Sequence, residues 1–192
     1  MRIGYLGPEG TYTQQAAAEF ILRLRHTNQQ LIPINSIDDL LDLLNQGDVD
    51  LAVVPLRNSI AGDYQETLRG MQKYKFSKLD FLDLQIKLAL GIHPDSDPPM
   101  ITKIISKDTA LRGCSDYLSE FSPSATQVPV DSTAKAMKDI KDQYLLEAAA
   151  VGSVIGMNLY GLKIINDDVG NKGGKDNVTT FLYLIRANGA AK

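Results

Sequence analysis

Apolar residues recur along this chain with two periods. Between residues 82 and 92 they take every second position, Leu82, Leu84, Ile86, Leu88, Leu90 and Ile92, against Asp83, Gln85, Lys87, Ala89 and Gly91. That alternation predicts one long strand with two unlike faces, suited to crossing between two subdomains. Elsewhere the spacing is helical. Ala16, Ala17, Phe20, Ile21 and Leu24 form one stripe, and Ile37, Leu40, Leu41 and Leu44 form a second, opened by Ser36 and closed by Gly47. Further stripes are Tyr64, Leu68 and Met71; then Ala110, Leu111, Cys114, Tyr117, Leu118 and Phe121; and Ala136, Met137 and Ile140. Short apolar runs at residues 2–6, 31–34, 50–54, 101–106, 126–130, 162–165 and 178–185 predict strands. The small-residue stretch 148–160 ends at Gly161, a residue suited to the C′ position of a helix.

Strand and helix alternate through the first third of the chain, which predicts a right-handed βαβαβ run. The pattern changes near residue 76, and a loop at 93–99 with three prolines precedes a second α/β unit. The expected fold is therefore α/β, with two lobes of mostly parallel sheet and a cleft between them. Lobe one is placed at 1–76 plus 167–192 and lobe two at 77–166. Gly170, Gly173 and Gly174 predict a flexible loop at 166–175, and residues 186–192 a frayed tail.

Composition narrows the classes of function. The 192 residues are 44% hydrophobic and 22% charged, ordinary for a globular protein. A formal charge of -3 without a block of like charges argues against a nucleic-acid surface. No apolar run has the length of a membrane span and the first residues lack the h-region of a signal peptide, so the expected location is cytoplasmic, with no membrane partner. Cys114, the one cysteine, falls inside a helical stripe and is expected as a core thiol. His26 and His93 are far apart in sequence, so no metal is expected.

Candidate chemistry gathers where strands end. Pro55 removes a backbone donor and is expected to end regular pairing, which leaves Arg57, Asn58 and Ser59 just past a strand. A solvated loop and a ligand site both fit that stretch. Thr11 with Gln14 fits a capping box after the turn Gly7-Pro8-Glu9-Gly10, whose amides are also placed to hold an anion. Thr11 and Thr13 serve as caps or as hydroxyls for a ligand. The three-glycine dinucleotide pattern is absent, and no cofactor is expected. Ser132 is an N-cap that doubles as an anion contact on a helix opening with Thr133.

Taken in order, several segments resemble the prephenate dehydratase family: Gly7-Pro8-Glu9-Gly10-Thr11-Tyr12-Thr13, Val54-Pro55-Leu56-Arg57-Asn58-Ser59 with Gly62, the segment from Ser106 to Cys114, Ser132-Thr133-Ala134, and Asn177-Val178-Thr179-Thr180-Phe181. The resemblance implies lobes like those of type II periplasmic binding proteins, an active site in the cleft and no cofactor. It implies a homodimer or higher homo-oligomer, and as substrate prephenate with its two carboxylates. On this basis Thr179 and Arg57 are the expected catalytic residues. Thr11, Thr13, Asn58, Ser59, Ser106, Ser132, Thr133, Thr180 and Phe181 are the expected substrate contacts.

Three departures stand out: Arg57 where the family has glutamate, Thr180 where its Thr-Arg-Phe motif has arginine, and Ser106-Lys107 where it has Ser-His. No regulatory domain is expected within the chain. In the family the threonine is thought to help the 4-hydroxyl leave and the arginine to orient a carboxylate. Moving the guanidinium from one wall to another suits the related non-aromatising prephenate decarboxylases of antibiotic and peptide pathways. These lose CO2, protonate the ring and keep the hydroxyl. Decarboxylation is the first expectation, with dehydration to phenylpyruvate as the alternative and a non-catalytic binder of small acids as the third.

Overall fold

The computed structural model describes residues 1–24, 28–171 and 177–187. The first half of the chain runs β1 (Arg2–Leu6), α1 (Tyr12–Leu24), β2 (Gln30–Ile34), α2 (Ile37–Gln46), β3 (Leu51–Asn58), β4 (Gly62–Asp63), α3 (Gln65–Lys73) and β5 (Phe76–Gln85). The second half runs β6 (Ala89–Ile92), a 3-10 turn (Pro98–Met100), β7 (Lys103–Ser106), α4 (Asp108–Arg112), α5 (Ser115–Phe121), β8 (Thr126–Pro129), α6 (Thr133–Asp142), β9 (Ala148–Gly152), α7 (Val154–Tyr160), β10 (Lys163–Asn166) and β11 (Val178–Arg186). The expectations for the Leu24 side chain, His26, residues 172–175 of the glycine-rich loop and the tail beyond Ala187 fall outside the described residues.

The chain divides into two units, Met1–Gln85 with Asn177–Lys192, and Ile86–Asp176. In the first, the sheet order is β2-β1-β3-β11-β5, with β4 hydrogen-bonded back onto β3. β1 is parallel to β2 and β3, whereas β11 runs antiparallel to both β3 and β5. One face buries Ile3, Tyr5, Val53, Phe181 and Tyr183 against Ala16 and Phe20 of α1. The other buries Ala52, Val54, Leu182 and Leu184 against Ile37, Leu40, Leu41 and Leu44 of α2. Those four leucine and isoleucine positions form the predicted stripe. Ser36 Oγ accepts from Asp39 N, and Gly47 closes the helix at φ 89°.

In the second unit the order is β10-β6-β9-β7-β8, with β7 parallel to β8 and β9, and β6 antiparallel to β9 and β10. Leu90 and Ile92 enter one core cluster, while Ala89, Ala148, Ala150 and Met137 enter another. Cys114 is fully buried and donates to the Ala110 carbonyl at 2.9 Å; burial pushes its thiol up to about 12.

Four local expectations change. The alternating run 82–92 is two strands in two sheets. β5 ends at Gln85, and β6, flanked on both sides, buries Ala89 and Gly91 as well as Leu90 and Ile92, so the small residues mark a second covered face. The 148–160 stretch contains the central strand β9 before α7; its small side chains admit Met137, whose Sδ lies 2.9 Å from where a Cβ on Gly152 would stand. The helix predicted through residues 110–121 breaks at Gly113 into α4 and α5. On α3 the buried positions are Thr67 and Gly70, with Met71 exposed, because Gly70 lets Leu41 approach where a Cβ would clash.

Candidate functional site

β3 does not stop at Pro55. Thr67 Oγ1 donates to the Pro55 carbonyl at 2.6 Å. A strand residue presents its carbonyl and its N–H on the same edge, so the donor that proline lacks would face Thr67, away from β11. No ladder bond to β11 is lost, and pairing runs on to Asn58. The register pairs Phe181 with Pro55 but Thr180 with Arg57, so Leu56 is the extra residue of a bulge. Adjacent strand residues face opposite sides. The end of β3 and the start of β11 therefore carry two different sets of side chains.

On the side shared with Phe181, Asn58 is the hub. Its Oδ1 accepts from the backbone N–H groups of Ile60 at 3.0 Å and Ala61 at 2.8 Å, which shapes the tight turn into β4. That fixes the amide orientation, because a flipped Asn58 would set its NH2 against two donors. Its Nδ2 accordingly donates to Thr179 Oγ1 and Asn177 Oδ1, both at 2.9 Å, with the Val178 carbonyl at 3.3 Å. Ser59 completes the junction: its N–H donates to the Val178 carbonyl and its Oγ accepts from Val178 N–H, each at 2.9 Å. Asn58 and Thr179 are buried, at 8% and 4% exposure. Thr179 accepts from Asn58 and, among the described residues, donates its own proton to no protein group. A hydroxyl oxygen that accepts a hydrogen bond is more willing to carry negative charge, so its proton is easier to transfer.

On the opposite side lie Arg57 and Thr180, directly paired across the ladder, and Asp83, paired with Thr180 from β5. Thr180 Oγ1 donates to Asp83 Oδ1 at 2.5 Å. Arg57 Nε stands 3.6 Å from Asp63 Oδ1, with both side chains more than half exposed. A depression of about 240 Å3 is lined by Arg57, Ser59, Asp83, Val178 and Thr180. Asp83 escaped the sequence reading. It is one polar position in an alternating run, and only the register of β5 on β11 reveals its neighbour.

The remaining expected contacts sit elsewhere. Thr11 caps α1, donating to the Leu6 carbonyl at 3.1 Å and accepting from Gln14 N at 3.3 Å, while Gln14 Oε1 accepts from Gly10 N at 2.6 Å. Thr13, in the first turn of the same helix, is buried. Phe181 is 2% exposed and packs in the core beside Tyr183 and Phe20. In the second unit Ser106 is fully buried and donates to the Val151 carbonyl at 2.6 Å. Ser132 caps α6 by accepting from Lys135 N at 3.0 Å, and Thr133 follows as the first helical residue. Thus the structure joins Asn58, Ser59 and Thr179, sets Arg57 and Thr180 on the other side of the same strand end, and assigns Thr11, Ser106 and Ser132 bonds within their own units.

These features define an α/β protein with a polar cluster at one strand junction. Among the described residues no group of histidine, cysteine and carboxylate side chains is arranged to hold a metal, and no helix is long and apolar enough to cross a membrane. The family model for prephenate dehydratase matches residues 3–189, and the chain belongs to that family. It is 30% identical over 186 residues to the bifunctional chorismate mutase/prephenate dehydratase of Pseudomonas aeruginosa, covering 96% of this chain and 48% of that protein. It is 27% identical to arogenate dehydratase 2 of Petunia hybrida, covering 97% of this chain and 45% of the relative. The crystal structure of prephenate dehydratase from Arthrobacter aurescens, in complex with L-Phe, superposes with a TM-score of 0.85 at 26% identity, over 100% of this chain and 62% of that one. The chain spans about half the length of the curated relatives it matches.

Proposed function

We propose that this chain is a dehydratase-type lyase acting on prephenate or its amino counterpart arogenate in amino-acid biosynthesis. The observation that carries this is the bond from Asn58 Nδ2 to Thr179 Oγ1 at 2.9 Å, which leaves the threonine proton for a ligand. In the proposed step the C1–carboxylate bond breaks and its electrons form a ring double bond as CO2 leaves. The C4–oxygen bond breaks with its electrons, and Thr179 gives its proton to the departing hydroxyl, which leaves as water. Solvent then restores the threonine proton. Asn58 would stabilise the oxygen while the proton is shared, a use of preorganised donors where charge develops.

Arg57 supplies the cation. It stands across one ladder rung from position 180, where the family motif carries arginine, and on the same side of the sheet. A guanidinium moved by one strand spacing, about 4.8 Å, is still able to reach a carboxylate brought to this strand end. Dehydration takes precedence over the non-aromatising decarboxylation because both the relatives' names and the retained Thr179 favour it, and a decarboxylase must avoid protonating the hydroxyl. The substitutions at 57 and 180 are what favour the decarboxylase as a second reading. Incubation with prephenate decides: strong ultraviolet absorption from phenylpyruvate is expected, a hydroxyl-bearing dihydro product would replace the first reading by the second, and no turnover of prephenate or arogenate would leave a binding protein.

A further inference from the structure

We propose that the row Arg57, Thr180 and Asp83 reads the zwitterionic head of an α-amino acid, with Arg57 taking the carboxylate and Asp83 together with Thr180 Oγ1 taking the ammonium. Three adjacent strands place these residues in one line, through the pairs Arg57 with Thr180 and Thr180 with Asp83. Two strand spacings separate the ends of the row, about 9.6 Å between backbones. The long arginine and the shorter aspartate narrow that gap to one a small dipolar head can bridge.

Thr180 is what keeps the row open. An arginine there would reach Asp83 and fill the depression, whereas threonine spends its proton on Asp83 Oδ1 and leaves Oδ2 without a protein partner among the described residues, with both side chains lining the depression. At the other end the contact of Arg57 with Asp63 uses Nε. Both Nη groups are uncommitted among the described residues and suit a bidentate carboxylate. An α-keto acid fits less well, because its keto oxygen would meet the Asp83 carboxylate with no donor between them.

The inference rests on the reading that Arg57 takes a carboxylate, and its test needs no turnover, so the two fail separately. Calorimetric binding of three probes isolates the two charges: L-phenylalanine, 3-phenylpropanoate without the amine, and phenethylamine without the carboxylate. L-phenylalanine is expected to bind about 10- to 100-fold more tightly than either. Asp83→Asn should erase its advantage over 3-phenylpropanoate, and Arg57→Gln its advantage over phenethylamine. Equal affinities in the wild-type chain, an advantage that survives Asp83→Asn, or no binding of any probe at millimolar concentration would overturn the proposal. Competition separates the sources of the head: if L-phenylalanine competes with substrate the row holds the substrate's own side chain, and if it binds without competing the row holds a free amino acid.

Discussion

Two sides of one strand junction differ in almost every physical respect. Asn58 and Thr179 are buried and joined by bonds that determine the orientation of each group. Arg57 and Thr180, one residue along the same strands, and Asp83 on the neighbouring β5 lie open to solvent or half-buried around a depression. Of the residues compared with the family motif in the sequence, Asn58 and Thr179 on the buried side match it, whereas Arg57 and Thr180 on the open side depart from it. Buried polar groups cannot be exchanged singly without leaving a partner unsatisfied. On the open side a cation can move from one strand to the next at little cost to the fold, since exposed ion pairs contribute about 0–1 kcal/mol. Under the proposed function the buried side does chemistry and the open side selects what is bound.

The sharpest way to break this contrast is Asn58→Ala. It removes the acceptor of two turn amides and the donor to Thr179, so a loss of about 2–3 kcal/mol in chemical denaturation is expected, with turnover falling at least tenfold further than stability explains. Unchanged stability would remove the buried side's claim to rigidity. Arg57→Gln is expected to raise KM by about tenfold at nearly constant kcat, the pattern of an interaction equally present in ground and transition states; an unchanged KM would make Arg57 a solvated charge. The smallest effect belongs to Asp63→Asn, which removes the 3.6 Å partner of Arg57. A stability change within about 0.5 kcal/mol is expected, and a larger one would show that the open side is as coupled as the buried one.

What could be read from the chain follows the range of the interaction. The stripe Ile37, Leu40, Leu41 and Leu44 with Ser36 and Gly47 was legible because helix period and caps are local, as was the Thr11 cap on Gln14 N, although the Gln14 side chain reaches back to Gly10 N and not to Thr11 N. β9 was hidden because its run of alanines favours a helix in isolation, and only the neighbours β6 and β7 make Ala148–Gly152 a buried strand. The polar stretch Arg57, Asn58 and Ser59 following an apolar strand was legible, although pairing runs on to Asn58 and does not end at Pro55. Which way each points was not. That depends on the bulge at Leu56, set by the register of β11, a strand more than a hundred residues away. The bond between Asp83 and Thr180 spans 97 positions of sequence and leaves no periodic trace.

The division of labour at the junction is tested most directly by Thr179→Ala, measured for substrate binding and single-turnover chemistry in the same preparation. Losing the proton donor should slow chemistry by about 10²- to 10⁴-fold, with substrate affinity held within about twofold and activity partly recovered in Thr179→Ser. Near-normal turnover, or affinity lost in step with activity, would contradict the account.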